Sequence, residues 1–124
     1  MTFVLMQVQS ARLSVSIGQC SSAGRKTVNQ DFHGAMVPDE QPLVVKGAAL
    51  ALADGISTSD VSRVAAETAV KSFLNDYYCT SDAWSARTAA TRVISASNSW
   101  LHGQNDPGLP QDRGHVCTFD AIVL

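Results

Sequence analysis

The stretch Gly47-Ala-Ala-Leu-Ala-Leu-Ala-Asp54-Gly55 decides the fold of this chain, because a nearly continuous apolar run stops abruptly on an acidic residue and a glycine. The apolar run over residues 47–53 predicts a β-strand that is buried on both faces. Alanine and leucine also suit a helix, but the short length and the Asp-Gly stop favour a strand. Asp54 and Gly55 would then lie at the rim of a sheet, where a carboxylate and an open backbone can hold a hard metal ion.

A second acidic element lies upstream, in Arg25-Lys-Thr-Val-Asn-Gln30-Asp31. It places a guanidinium group a short distance before a carboxylate. Arginine can meet a phosphate group with two parallel N–H donors, and aspartates are ligands that hard divalent cations prefer. Together with Asp54, these residues predict metal-dependent chemistry on a phosphorylated substrate.

Composition limits the class of protein. The chain has 124 residues, of which 45% are hydrophobic and 16% charged, so it can form one small domain with a core. The net charge is −2 and the nine Lys and Arg are scattered, which argues against nucleic-acid binding. No apolar run approaches the ~20 residues of a membrane span. The three cysteines are widely spaced, which predicts reduced, buried thiols and a cytoplasmic location.

Hydrophobic periodicity predicts the remaining elements. Alternation over residues 12–20 predicts a half-buried strand, and residues 32–37 and 116–124 also have strand character. Thr58-Ser-Asp60 and Ser81-Asp82 predict the caps of two helices, which end near Tyr78 and Gly103. The apolar stripe of the first helix is predicted at Val61, Val64, Ala65, Ala69 and Phe73. This order predicts an α+β fold with both helices on one face of a sheet.

Four motifs in a fixed order carry a resemblance to a known family. They are Arg25…Asn29-Gln-Asp31, Ala51-Leu-Ala-Asp54-Gly55, Val64-Ala-Ala-Glu67-Thr-Ala-Val70 and Val116-Cys-Thr-Phe-Asp-Ala-Ile-Val-Leu124. From about residue 14 onward the chain resembles the N-terminal half of the PPM (PP2C-type) metal-dependent Ser/Thr protein phosphatases. Since no Gly-Gly-His follows Asp54-Gly55, it is most similar to the bacterial branch that is often fused to a protein kinase domain.

The resemblance implies a fold and a site. The fold would be an α/β/β/α four-layer sandwich with two antiparallel sheets, of which only the N-terminal half is present. Residues 1–11 would be an N-terminal extension, and residues 12–124 a partial phosphatase domain. The site would hold two Mn²⁺ or Mg²⁺ ions. Asp54 would bridge them, the backbone carbonyl of Gly55 would bind one, Asp31 would act through a water molecule, and Arg25 would hold the substrate phosphate. Hydroxide would attack phosphorus directly.

The chain departs from the family pattern in two ways. Gln30 stands where many members have Glu, although its amide could still hydrogen-bond a metal-bound water. The family's later half, with its Gly-Asp-Ser-Arg hairpin and further aspartate ligands, is absent. The chain also stops inside a predicted strand, whose unpaired edge would invite aggregation. We therefore expect a fragment with negligible phosphatase activity of its own.

Three functional interpretations follow from these residues. The leading one is metal-dependent hydrolysis of phosphoserine and phosphothreonine in proteins, with a fused or partner Ser/Thr kinase. The main alternative is a catalytically inactive regulatory or binding module, which the Gln30 departure favours. A third is a truncated product of poor solubility, because Ile122-Val-Leu124 would be exposed. Asp120 stays open between a polar site and a solvent-facing position.

Overall fold

The structure is a computed structural model that describes residues 14–124. The predicted extension at residues 1–11 therefore lies outside the described residues. In chain order the elements are strand β1 (Asp31–Met36), helix α1 (Glu40–Lys46), strand β2 (Ala49–Gly55), helix α2 (Ser62–Tyr78), helix α3 (Ala86–Gly103), a 3₁₀ turn (Gln111–Arg113) and strand β3 (Cys117–Val123). The described part of the chain is thus a small α+β fold, as predicted.

The three strands form one antiparallel sheet with β2 in the centre. Asp31 lies opposite Asp54 in the β1–β2 pair, and Asp54 lies opposite Thr118 in the β2–β3 pair. Strand β1 therefore begins, β2 ends and β3 begins at the same edge of the sheet. We call this edge, formed by Asp31, Asp54, Gly55 and Thr118, the carboxylate end. Helices α2 and α3 together return the chain from the end of β2 to the start of β3 at this edge.

Within residues 14–124, helices cover one face of the sheet and leave the other face open. Helix α2 contacts all three strands, and α3 packs against α2. Ala49, Ala51 and Ala53 point toward the helices and are almost fully buried, whereas Leu52 on the opposite face is 50% exposed. The prediction that this strand is buried on both faces is wrong for the described residues, because only one layer of helices covers the sheet and strand side chains alternate between faces.

Small residues let α2 lie close to the sheet. Ala65 and Ala66 are completely buried, and Phe73 stacks on Tyr77 with ring centroids 5.6 Å apart. Val64, which was predicted in the apolar stripe, is 52% exposed. Steps of four residues drift around a helix that turns every 3.6 residues, so the buried stripe also takes up other positions. These are Val70, Leu74 and Tyr77.

The structure differs from the sequence prediction at one strand and at one helix. No strand forms within residues 14–20, although Val15 and Ile17 are less exposed than Ser14 and Ser16 between and before them. Helix α1 was not predicted, and Pro42 lies in its first turn. Proline is nevertheless tolerated in the first turn of a helix, where its missing N–H has no intrahelical partner.

The predicted helix caps are displaced. Helix α2 begins at Ser62, its N-cap Val61 makes no side-chain cap bond, and the hydroxyl of Ser59 accepts instead from the Val61 N–H at 3.3 Å. Helix α3 begins four residues after Asp82 with Ser85 as its N-cap. The Ser85 hydroxyl accepts from the Thr88 N–H at 3.1 Å, which is the expected capping geometry. The helices were predicted correctly, and their first turns were not.

Candidate metal and phosphate site

The structure brings Asp31 and Asp54 together across the β1–β2 pair. A hydrogen bond between the two carboxyl groups raises the pKa of Asp31; partial burial and the negative charge of Asp54 raise it further, while Lys26 opposes the shift. Two neighbouring carboxyl groups are a donor set that suits a hard divalent cation.

Gly55 follows the pair and is tied tightly to its surroundings. Its N–H donates to the backbone carbonyl of Gln30 at 3.0 Å. A β-carbon at this position would lie 2.7 Å from the carbonyl oxygen of Ser62 and 2.9 Å from that of Gln30. Since both neighbours are backbone atoms, only glycine fits. The Asp-Gly pair is therefore more than a turn signal, because the glycine lets β1 and the start of α2 close around the carboxylate end.

Gln30 has a different role from the one that its position before Asp31 suggested. Its amide nitrogen donates to the carbonyl oxygens of Ile56 (3.2 Å) and Ser59 (3.1 Å) and to the hydroxyl of Ser62 (2.9 Å). The amide group is half-buried in the loop that follows β2. The amide nitrogen that was expected to bond a metal-bound water is thus taken up by protein acceptors. No local sequence pattern marks this contact, because its partners lie more than twenty residues away.

Arg25 lies apart from these contacts. It is exposed in a turn next to Gly24, and no hydrogen bond or ion pair of its side chain occurs within residues 14–124. The positive charge that lowers the pKa of Asp31 comes from Lys26, which follows Arg25 in the sequence. Sequence reasoning missed this residue. The adjacency of two basic residues was the only signal. The phosphate-binding role of Arg25 stays a prediction.

Two hydroxyl groups fasten the neighbouring loops to each other. Thr58 donates to the carbonyl of Asp112 at 2.8 Å, and Ser59 donates to that of Gly114 at 2.7 Å. Ser59 is 1% exposed, so this bond is shielded from water. The loop after β2 and the loop before β3 therefore form one connected rim at the carboxylate end. Residues predicted as a helix cap serve here as ties between loops.

The ligand set is incomplete for a pair of metal ions. Within residues 14–124 no group of three or more His, Cys, Asp or Glu side chains is placed to hold a metal ion. Asp120 lies on the open face, opposite Leu52 rather than opposite Asp54. Of the two alternatives for this residue, the structure supports the solvent-facing position. Asp31, Asp54 and the Gly55 carbonyl are hard oxygen donors that fit Mn²⁺ or Mg²⁺, but they supply too few ligands to complete a coordination shell.

The cysteines give no alternative chemistry at this edge. Burial, and secondarily the charge of Asp54, raises the pKa of the Cys117 thiol, which disfavours a reactive thiolate. All three cysteines are free thiols, as predicted, but Cys20 and Cys79 are exposed rather than buried. Their surrounding segments are a loop and a helix end, which a prediction from residue type alone could not place.

A cleft of about 440 Å³ lies between α2, α3 and the start of β3, on the helix-covered side of the sheet. Its walls are mainly apolar and include Phe73, Leu101 and Phe119. His115 at its rim is held by the amide oxygen of Asn105, which accepts from both the backbone N–H (2.6 Å) and the ring Nδ1 (2.9 Å). Neither aspartate of the pair lines this cleft, so it is separate from the candidate site.

No family model, no curated protein and no solved structure matches this chain. None of the helices formed by residues 14–124 has the length and apolar character needed to cross a bilayer.

Proposed function

We propose that this chain carries part of the site of a metal-dependent phosphatase that hydrolyses phosphoserine and phosphothreonine in proteins. The observation that supports the proposal most directly is the opposition of Asp31 and Asp54 at one end of the sheet. The family resemblance supports the same residues from the sequence. A buried glycine beside the pair and a connected rim of loops supply the rigid setting that a reaction site needs.

Each residue has a defined task in this proposal. Asp54 and the backbone carbonyl of Gly55 would hold the cations, and Asp31 would hold a water molecule beside them by hydrogen bonding. Arg25 attracts the phosphate group from the exposed loop before β1. Two Mn²⁺ or Mg²⁺ ions would neutralise charge on the phosphate and make a nucleophile available near neutral pH. The chain's own contribution is orientation and charge placement.

The finer features of the resemblance belong to the same proposal. A second antiparallel sheet covering the open face would complete the α/β/β/α sandwich and would bury Leu52 and Ile122, which are 50% and 60% exposed. The substrate would be a phosphorylated protein, with a Ser/Thr kinase as a fused or separate partner. Free thiols support a reducing compartment such as the cytoplasm.

Manganese binding tests the metal site directly. Mn²⁺ is paramagnetic, so titration into ¹⁵N-labelled protein should selectively broaden the amide signals of Asp31, Asp54 and Gly55. Asp54→Asn should abolish this local broadening, because it removes the central carboxylate. Asp120→Asn removes the same charge from the same face of the sheet and should leave the broadening unchanged. Uniform broadening, or equal loss in both variants, would contradict the proposal.

Phosphate recognition is tested separately. In the presence of Mn²⁺, a phosphoserine peptide should bind more tightly than its unphosphorylated form, and Arg25→Ala should remove most of that difference. Arg87→Ala, at another exposed arginine, is the matched control. The isolated chain should hydrolyse the peptide negligibly, since its ligand set is incomplete. Robust turnover by this chain would show that the assigned ligands are wrong.

The inactive regulatory module remains the second candidate function. It is favoured by the small number of acidic ligands within residues 14–124 and by the engagement of the Gln30 amide nitrogen in a loop. Phosphopeptide binding that does not depend on Mn²⁺ would support this alternative over the enzyme.

A further inference from the structure

Gln30 is the residue that connects β1 to the loop after β2. Its backbone carbonyl accepts from the Gly55 N–H at 3.0 Å, while its side chain reaches three acceptors further along the loop. These acceptors are the carbonyls of Ile56 and Ser59 and the hydroxyl of Ser62. One residue thus bonds the chain on both sides of the Gly55–Ile56 peptide unit. We call this set of contacts the Gln30 clamp.

Ser62 closes the clamp from the opposite side. It is 0% exposed, and its hydroxyl lies 2.7 Å from the Ile56 carbonyl and 3.0 Å from the Ser59 carbonyl. The single hydroxyl proton of Ser62 is donated to these carbonyls, and the hydroxyl oxygen accepts from the Gln30 amide. No buried side-chain nitrogen or oxygen is left without a partner in the part of the chain that the structure describes. The cluster is therefore satisfied as it stands, and its only side-chain N–H donor is the Gln30 amide.

The chemistry of the clamp requires a donor at position 30. Carbonyl oxygens of Ile56 and Ser59 point at the amide nitrogen, so an ionised carboxylate there would face two acceptors without a proton to share. Glutamate, which a metal-facing role would favour, is thus the wrong residue for these contacts, although it matches glutamine in length.

We propose that Gln30 is a positioning residue that fixes the Asp54–Gly55 turn against the start of α2 and thereby holds Asp54 opposite Asp31. The clamp stands on the contacts described above, whereas its importance for metal affinity rests on the proposed function. Residues that orient a metal ligand typically change metal affinity by about 10- to 100-fold when they are replaced.

Three variants test the proposal. Gln30→Met keeps the length of the side chain and removes the donor; Gln30→Glu keeps the length and replaces the donor with an acceptor. Gln41→Met makes the same replacement at an exposed position of α1 and is the matched control. For each protein, NMR hydrogen exchange is measured at the Gly55 and Ile56 amides relative to Ala51 in the middle of β2, and Mn²⁺ affinity is measured by calorimetry.

In Gln30→Met, exchange at Gly55 should accelerate on the order of tenfold relative to Ala51, since the clamp that closes over this turn is lost. Mn²⁺ affinity should fall by about 10- to 100-fold. Gln30→Glu should bind Mn²⁺ no better than Gln30→Met at neutral pH, and Gln41→Met should behave as the wild type. Tighter Mn²⁺ binding by Gln30→Glu, or unchanged Gly55 exchange in Gln30→Met, would overturn the proposal.

Two further outcomes remain decisive. If the wild-type chain binds no Mn²⁺, the proposed function fails, but the exchange comparison still decides whether the clamp exists. If Gln30→Met does not fold, Ser62→Ala provides the milder test, because it removes the hydroxyl and leaves the amide with its two carbonyl partners. Faster exchange at Gly55 in Ser62→Ala supports the clamp, and wild-type exchange there contradicts it.

Discussion

The two faces of the sheet use the same strands for different purposes. On the helix-covered face, β2 presents Ala49, Ala51 and Ala53, which are at most 4% exposed under α2. On the open face, the intervening positions hold Leu50, Leu52 and Asp54. Small side chains are needed where a helix must approach closely, whereas the open face can carry large apolar and charged groups. The buried contacts of β2 therefore lie on one face of the sheet, and the candidate carboxyl groups lie on the other.

The largest expected effect is a difference in the free energy of unfolding between variants of two large apolar residues, one on the helix-covered side of the sheet and one on the open face. Phe73 is 1% exposed and packs on both Tyr77 and Phe119, so Phe73→Ala should lower the free energy of unfolding by about 3–5 kcal/mol. Leu52→Ala, on the open face, should change it by less than about 1 kcal/mol because the side chain is already half exposed. Urea unfolding followed by circular dichroism measures both.

If Phe73→Ala leaves too little folded protein to measure, Phe73→Leu gives the same comparison with a smaller cavity. Equal costs for Phe73 and Leu52 variants would mean that the open face is covered in solution.

The next largest expected effect is a difference in the free energy of unfolding between alanine variants of two glycines that both face the helices. Gly55→Ala should cost about 1–3 kcal/mol, because its β-carbon would meet two backbone oxygens that cannot move away singly. Gly34→Ala should cost less than about 1 kcal/mol, since the closest atom, 2.7 Å from its β-carbon, is the end of the Leu74 side chain, which can rotate. Thermal unfolding of the two variants is sufficient, and the reverse order would contradict the described packing at the carboxylate end.

The smallest effect concerns pH. Because the pKa of folded Asp31 is raised, its protonated form favours folding; this contribution is full below the unfolded pKa of about 4 and is lost as the pH rises through the folded value. Asp31→Asn should remove this loss, which solvent screening limits to under about 1 kcal/mol.

The measurement is the difference in Tm between about pH 3.5, below the unfolded pKa of Asp31, and about pH 7. Asp39→Asn, at an exposed loop residue, controls for the removal of one negative charge. A wild-type difference that Asp31→Asn leaves intact would mean that another group is responsible for it.

The sequence was informative where a residue's own neighbours decide its structure. The apolar run before Asp54 predicted β2, and the apolar stripe around Ala65 predicted helix α2. Asp31 and Asp54 were expected to share one site with Arg25, and the strand register places the two aspartates opposite each other. The resemblance assigned roles to Arg25 and to two metal ions, and these remain predictions.

What the sequence could not supply depends on long-range contacts. The side-chain contacts of the Gln30 clamp join residues that are 26 to 32 positions apart, and no periodicity reports such a contact. Leu52 was predicted to be buried because its neighbours are apolar, yet burial depends on whether a second layer is present. The cap of α3 lies at Ser85 rather than at Ser81-Asp82, because both serines near the start of the helix suit the same role.

The alternation of β2 also restricts how this part of the chain can change in evolution. A deletion of one residue between Ala49 and Ala53 would invert every side chain after it, so that the acid at position 54 would point into the helices and Gly55 would take its outward place. Length changes in the strand are therefore tolerated only in pairs. The exposed loop that carries Arg25 has no alternation of side chains to preserve, so its length can change while the two aspartates stay opposite each other.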